Sequence, residues 1–473
     1  MLKFGTSGLR GPAAVLDGLE AGRYVRAFVE TMREAGHLEA GRHRLFIGRD
    51  LRASSPAIAG RVAAAIQAEG CVAIDCGVLP TPALALAAMR EGAPAIMVTG
   101  SHIPDHLNGL KFYRPDGEID KADETRIAAR LDEARPDVVR PNNSAYELLF
   151  FDVNALYLKR YLDFFVNAPL SGLRVAVYQH TSAARDMLVE LLSRLGATAT
   201  PLGRAEGFVP VDTEALRAED HDLARGWAAD PGYDALVSTD GDADRPLIAD
   251  ETGRFLRGDL VGAMTARFLG AEIVVTPVTS NGRLEGAGFS RIVRTRVGSP
   301  FVIAGMQAAM AKGEKAVGFE ANGGVLLGFD AEIAGKRLAA LPTRDAMLPI
   351  LAVLATRARE QRPLSVLAAE PGFFPAISTR IEHVPAERSA ALLAALEAAP
   401  DAAAALFGAD VGWRADRTDG FRMIAETGEI VHFRASGNAP ELRLYVEAAG
   451  EGRAADLVNA ALTLAGRNGV GAT

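Results

Sequence analysis

A chain of 473 residues with 49% hydrophobic, 23% charged and 6% aromatic side chains predicts three or four globular domains. It excludes a disulfide-stapled mini-protein, a low-complexity chain and a collagen-like one. Fifty-one basic against 59 acidic residues, a formal charge of -8, imply no broad cationic face, so neither nucleic acid nor an anionic membrane is expected as a partner.

The amino-terminal MLKFGTSGLRG has no apolar h-region, and the longest charge-free run, 297–311, falls short of the roughly 20 apolar residues of a membrane helix. A cytoplasmic protein, monomeric or a small homo-oligomer, is expected. In chain order, RLFIGRD (44–50), CVAIDCG (71–77) and PAIMVTG (94–100) are short apolar runs closed by turn residues, with an Ala-rich helical stretch over 58–70. This alternation predicts βαβ units. Cys71 and Cys76, in a strand-like run without a nearby His, read as buried thiols in a reducing compartment rather than a zinc site. The pattern recurs at LRVAVYQH (173–180) before a helix over 183–195, and at AEIVVTPV (271–278) with a later helix over 300–311. Three related α/β domains with mixed, largely parallel sheets are therefore expected.

The last hundred or so residues differ. A helix over 391–399, a hairpin of DGFRMIAE and EIVHFRAS, the strand ELRLYVEA and a final helix over 454–465 predict a smaller α+β domain. Borders at the polar RPNNS, at 257–259 and at EPGFFP divide the chain into 1–152, 153–257, 258–371 and 372–473.

Sheets of this kind present ligand-binding loops at the carboxyl ends of their strands. STDGDADRP follows such a strand and sets Asp240, Asp242 and Asp244 at alternating positions. Three carboxylates facing one point need a cation, and an all-oxygen set suits Mg²⁺ or Ca²⁺ rather than zinc. Glu251 stands at the twelfth position of an EF-hand count, but Arg245 replaces the Gly required at the sixth and the flanks read as strands. A solvated acidic turn is the alternative.

VTGSHIPDHLNGLKFY places Ser101 and His102 just after another strand, with Lys111 further on. Without a G-x-S-x-G elbow this is no hydrolase signature; beside a metal loop, the serine suits a phosphoryl carrier. RASGNAPELR combines Arg434, Ser436, Gly437, Asn438 and Arg443 as either an anion cradle or a plain hairpin. GFEANGG offers Glu320 and Asn322 on a turn that suits sugar hydroxyls or is simply a turn, and KFGTSGLRG presents Thr6, Ser7 and Arg10 among glycines. The absence of G-x-x-x-x-G-K-[ST] and of G-x-G-x-x-G after a strand disfavours kinases and dehydrogenases.

Five segments in this order, FGTSGLRG, TGSHIPDHLNGLKF, DGDADR, FEANGG and RASGNAPELR, resemble the α-D-phosphohexomutase family across nearly the whole chain. The resemblance implies four domains around a central cleft, with a mobile fourth. It implies that Ser101 is the phosphoserine, that Asp240, Asp242 and Asp244 hold Mg²⁺ with the serine phosphate completing the site, and that Arg245 partners the phosphoserine. Arg10, His102 and Lys111 resemble the basic cluster at the reacting centre, Lys111 being favoured for proton transfer. Glu320 and Asn322 resemble the sugar-gripping turn, Gly298 the loop that inspects the epimer, and Arg434, Ser436, Gly437, Asn438 and Arg443 the cradle for the non-reacting phosphate.

The implied reaction interconverts hexose 6-phosphate and hexose 1-phosphate through a hexose 1,6-bisphosphate, with glucose or mannose 1,6-bisphosphate as activator. FGTSGLRG, GSHIP and EANGG look most like the mannose-specific branch, with glucose-specific, dual-specificity and glucosamine enzymes, a Ser-dependent phosphohydrolase and a non-catalytic sugar-phosphate sensor as alternatives. The chain departs from the commonest pattern at Ile103, Asn322, Gly324 and Asn438-Ala439. Gly324 stands where a His is frequent, which shifts the general-acid role onto Lys111 or His102.

Overall fold

Short runs of β-branched and small apolar residues become strands buried on both faces, as central parallel strands require. Ala95–Val98, Ala235–Thr239, Ile273–Pro277 and Ala316–Phe319 are buried at every residue. The structure, a computed structural model, describes residues 2–5, 8–38, 43–131, 152–167, 170–229, 232–408, 412–436 and 440–470. The expected border at RPNNS lies outside the described residues.

In the first unit the sheet runs Lys3–Phe4, Leu9–Pro12, Leu107–Arg114, Ala95–Val98, Arg44–Arg49, Val72–Val78. Arg44–Arg49 pairs in parallel with both its neighbours, and Leu107–Arg114 joins antiparallel. The second sheet orders Pro246–Asp250, Ala235–Thr239, Arg174–His180, Thr198–Arg204; only its Pro246–Asp250 edge is antiparallel. The third orders Arg291–Thr295, Ile273–Pro277, Ala316–Phe319, Val325–Leu327, Leu341–Asp345, parallel over the first three strands. The sheets are thus mixed, each with a parallel centre that leaves strand carboxyl ends pointing at the site.

The fourth sheet, Ala376–Glu382, Glu441–Glu447, Ile430–Ala435, Phe421–Ala425, Trp413–Asp416, is antiparallel throughout and carries the helices Ala386–Ala398, Pro400–Gly408 and Glu451–Arg467. Its core, around Phe407, Phe421, Phe433 and Leu444, is its own. The first three units instead share one apolar core that joins Leu84, Tyr157, Leu191, Phe319 and Leu351. The metal-loop side of the molecule is therefore rigidly assembled, while the fourth unit is attached through surfaces.

Helix ends shift from the sequence expectation where local chemistry acts. The helix expected over 58–70 begins at Ser55, because Pro56 is well placed in a first turn, and the final helix runs Glu451–Arg467. Cys71 is buried and Cys76 half-buried, both are free, and burial pushes the Cys76 thiol up to about 12. Among the described residues no single helix is long and apolar enough to cross a membrane.

Candidate active site

Two loops, each leaving the carboxyl end of a buried strand, meet face to face. Val98 leads through Thr99 and Gly100 to Ser101, and Thr239 leads directly to Asp240. Ser101 (φ 55°) and Ala243 (φ 58°) both adopt left-handed backbone, which costs a non-glycine residue about 1–3 kcal/mol and persists only where surroundings impose it. At Ser101 the constraint is visible. Its N–H donates to Thr99 Oγ1 at 2.8 Å, and the fully buried Arg52 guanidinium donates to the carbonyls of Ser101 (3.1 Å), Ile103 (2.5 Å), Pro104 (2.9 Å) and Leu107 (3.1 Å). Arg52 also pairs with Asp50 and lies over the Phe208 ring at 3.8 Å. Opposite, a Cβ on Gly241 would fall 2.6 Å from the Ser101 carbonyl, so only glycine lets the two loops approach this closely.

The three aspartates are buried and held by different partners. Asp240 Oδ1 accepts the Asp244 and Arg245 N–H groups at 3.2 Å, and its Oδ2 accepts the Ser101 hydroxyl at 2.5 Å. Asp242 Oδ2 accepts the Thr81 hydroxyl and the Lys111 ammonium at 2.6 Å. Asp244 Oδ2 accepts Lys111 at 2.5 Å and the Arg344 guanidinium at 2.7 Å. That leaves Asp242 Oδ1 and Asp244 Oδ1 buried without a hydrogen-bond partner, and an oxygen from each aspartate lies within 4.8 Å of the others. Buried, unsatisfied carboxylate oxygens converging on one point fit a hard divalent cation. The outer partners Thr81, Lys111 and Arg344 fix how the Asp242 and Asp244 carboxylates turn.

The electrostatics separate these acids. Burial, then repulsion from Asp242 and Asp244, pushes the Asp240 carboxyl well above its usual range. Burial acts the same way on Asp244, but Arg344, Lys111 and Arg245 outweigh it and hold that group below the ordinary carboxylate range. His102, whose Nδ1 is 3.2 Å from Ser101 Oγ, is pushed well below its normal value by burial and then by Arg245 and Arg10. Arg10 itself is lowered to about 10 by burial and by Arg245. Arg245, its Nε about 4 Å from Asp240 and Asp244, completes the cationic surround of Ser101.

Glu320 is nearly buried, its Oε1 3.6 Å from Arg344, and burial raises its carboxyl against the pull of that guanidinium. It lines a cleft of about 530 Å³ between the second, third and fourth units, together with Asp212, Glu214, Val297, Arg443 and Tyr445. The Asn322 Oδ1 accepts the Gly324 N–H at 3.0 Å, bracing the turn that carries Glu320. Gly298, at φ 128°, precedes the helix Ser299–Met310, whose Ser299 hydroxyl reaches Glu118 of the first unit at 3.2 Å. Arg434 is buried and bonded to Asp419, so it is no solvent-facing hairpin residue, and Arg443 pairs with Glu441. The Ser436 N–H closes the hairpin on the Glu441 carbonyl. Gly437 and Asn438, like Thr6 and Ser7, lie outside the described residues.

Sequence reasoning passed over Arg52, Thr81 and Arg344. Arg52 sits in GRDLRASS, immediately after the strand Arg44–Arg49, and Arg344 lies within the strand Leu341–Asp345. Priority for residues at strand ends, already applied to Ser101, would have found the first.

Family models described as phosphoglucomutase/phosphomannomutase match the chain four times: alpha/beta/alpha domain I over 1–137, domain II over 157–253, domain III over 257–372 and the C-terminal domain over 384–464. The chain belongs to the phosphoglucomutase/phosphomannomutase family. It is a phosphohexomutase in fold and class, an isomerase-type phosphotransferase. A phosphomannomutase of Sinorhizobium fredii is 47% identical, covering 94% of this chain and 95% of the relative. A second, from Salmonella muenchen, is 38% identical over 98% of this chain and 95% of the relative. Among solved structures, a phosphoglucomutase/phosphomannomutase family protein from Burkholderia thailandensis superposes with a TM-score of 0.75 at 20% identity, covering 99% of this chain and 98% of that one. The open form of a Paramecium phosphoglucomutase gives 0.71 at 17%, covering 98% and 94%. These two establish the fold.

Proposed function

We propose that this phosphohexomutase is a phosphomannomutase, interconverting mannose 6-phosphate and mannose 1-phosphate through phosphorylated Ser101 and mannose 1,6-bisphosphate. The observation that carries the reading is the Ser101 hydroxyl 2.5 Å from Asp240, beside two buried carboxylate oxygens without partners. The sugar follows the names of two relatives matched over nearly their full length.

Asp240, Asp242 and Asp244, with the phosphate on Ser101, are the residues that would hold Mg²⁺. When bound, the ion supplies neutralisation of charge on the transferring phosphoryl group. Arg245, Arg10 and His102 surround the phosphoryl group on Ser101, Arg245 as its guanidinium partner. Lys111, bridging Asp242 and Asp244, moves the proton of the sugar hydroxyl that receives the phosphoryl group. Glu320 orients the sugar by accepting from its hydroxyls, on the turn braced by Asn322, and the loop at Gly298 meets the epimeric face. Arg434, Ser436, Gly437, Asn438 and Arg443 hold the non-reacting phosphate. Because either phosphate of the bisphosphate fits that cradle, the intermediate turns over and returns its other phosphoryl group to Ser101. Glucose or mannose 1,6-bisphosphate restores any enzyme left unphosphorylated. The units 1–152, 153–257, 258–371 and 372–473 carry the serine, metal, sugar and phosphate loops respectively.

The test is a phosphorus NMR time course with Mg²⁺, catalytic glucose 1,6-bisphosphate, and mannose 6-phosphate or glucose 6-phosphate in parallel. Faster conversion of the mannose ester is expected. Faster conversion of the glucose ester would make the chain a phosphoglucomutase, and accumulation of inorganic phosphate without isomerisation would make it a phosphohydrolase.

A further inference from the structure

The turn between the strands Trp413–Asp416 and Phe421–Ala425 is built to present one carboxylate. Asp416 Oδ1 accepts both the N–H (2.9 Å) and the hydroxyl (2.7 Å) of Thr418, closing the turn from inside. Gly420, at φ 87°, presses the turn onto the neighbouring strand so closely that a Cβ there would lie 2.3 Å from the Phe433 carbonyl. From that same strand the buried His432 donates its Nε2–H to the Asp419 carbonyl at 2.6 Å. Asp419 is thus held on both sides of its own backbone.

Its side chain then does two things with one oxygen. Asp419 Oδ2 accepts Arg434 Nε at 2.8 Å, which fixes the plane of the guanidinium. The same oxygen crosses to the third unit and accepts the Val297 N–H at 2.9 Å. Val297 lines the cleft and is followed by Gly298. Among the described residues no shared apolar core fastens the fourth unit to the other three, so polar contacts of this kind set how firmly it closes.

We propose that Asp419 is a closure latch and a positioning residue: by joining Arg434 to the Val297–Gly298 loop it keeps the cleft shut on the bisphosphate while that intermediate reorients. The inference rests on the assignment of Arg434 to the non-reacting phosphate. When the latch is lost, the bisphosphate escapes more often before it returns a phosphoryl group. Each escape carries away the phosphoryl group that Ser101 donated, and the enzyme stays inactive until a bisphosphate, the dilute escaped one or an added one, re-phosphorylates the serine.

The experiment uses the full chain, phosphorylated at Ser101, with whichever of mannose 6-phosphate and glucose 6-phosphate the parent isomerises. The partition between isomerised product and free bisphosphate is followed by phosphorus NMR, and Ser101 phosphorylation by intact mass. For Asp419→Ala the free bisphosphate per turnover is expected to rise about tenfold or more, as loss of a charge-assisted hydrogen bond implies, with activity decaying unless glucose 1,6-bisphosphate is added. A merely structural defect lowers the rate without changing this partition. Should Asp419→Ala melt below the assay temperature, the near-isosteric Asp419→Leu, which has no acceptor oxygen, carries the same test. A parental partition in the folded variant overturns the latch. Arg434→Gln is run alongside: an unchanged KM overturns the phosphate assignment and the latch with it, whereas a raised KM with a parental partition at Asp419 overturns the latch alone.

Discussion

The stem of Arg344 lies against the bare backbone of Gly324. A Cβ added to Gly324 would stand 3.1 Å from Arg344 Cβ and 2.6 Å from the Asp244 carbonyl, which belongs to the metal loop. The glycine that departs from the commonest family pattern is therefore matched by a guanidinium that reaches Asp244 at 2.7 Å and lies 3.6 Å from Glu320. A fixed cation on the third unit joins the aspartate loop to Glu320, the carboxylate proposed to grip the sugar.

Gly324→Ala is expected to destabilise the protein by about 1–3 kcal/mol, because the Asp244 backbone cannot move away without disturbing the loop. Urea denaturation of parent and variant measures it. Unchanged stability would mean that the two loops are not rigidly packed.

Lys111→Ala should lower kcat by roughly 10²–10⁴-fold while KM for mannose 6-phosphate changes little, as expected for a group that acts on a proton in the transition state. Steady-state kinetics with saturating bisphosphate separate the two constants. An unchanged kcat would remove Lys111 from proton transfer.

Chelation with EDTA should abolish isomerisation, and Mg²⁺ should restore it. Calorimetric titration of Mg²⁺ into the chelated protein reads binding directly. Asp242→Asn is expected to weaken that binding by about tenfold or more through loss of an anionic ligand.

Arg52→Lys keeps the charge beside Asp50 but replaces a planar fork by a single ammonium that cannot reach all four loop carbonyls. Stability should fall by about 1–3 kcal/mol, and incorporation of phosphate into Ser101 from glucose 1,6-bisphosphate, followed by intact mass, should slow. Phosphorylation at the parental rate would show that the loop holds its shape without the fork.

Glu447 links pH to the seam between the third and fourth units, where its Oε2 accepts the Gly282 N–H at 2.7 Å. Burial raises its carboxyl from 4.5 to about 7, with Asp259 adding to the rise and Arg257, Arg422 and that N–H opposing it. The unfolded chain releases this proton near 4.5 while the folded protein keeps it to about 7. Stability therefore falls as pH rises through that window and levels off above it, by about 3 kcal/mol in all. Denaturation from about pH 5 to about pH 8 should show this slope in the parent and lose it in Glu447→Gln.

Much of this site can be read from the chain because its parts are local in sequence. Asp240, Asp242 and Asp244 need only one turn to converge, and Ser101 only a position after a strand; both follow from short-range pattern. Arg52 and Arg344 carry no such mark. Arginine is common in this chain, and what distinguishes these two is complete burial against partners such as Ser101, 49 positions away, and Asp244, 100 away. Asn322 shows that a motif can also carry a local role the pattern does not announce: its side-chain oxygen accepts the Gly324 N–H.

Periodicity and turn residues are properties of neighbouring residues, and they suffice for four α/β and α+β units, an acidic loop after one strand and a serine loop after another. Which loops face each other is set by long-range packing. The shared core of the first three units brings Ser101 against Asp240, and the separate core of the fourth leaves Asp419 to reach Val297 across a seam. No local pattern encodes those distances, because each is the sum of helix and sheet contacts hundreds of residues apart, and it is there that the unpartnered carboxylate oxygens of the site are left.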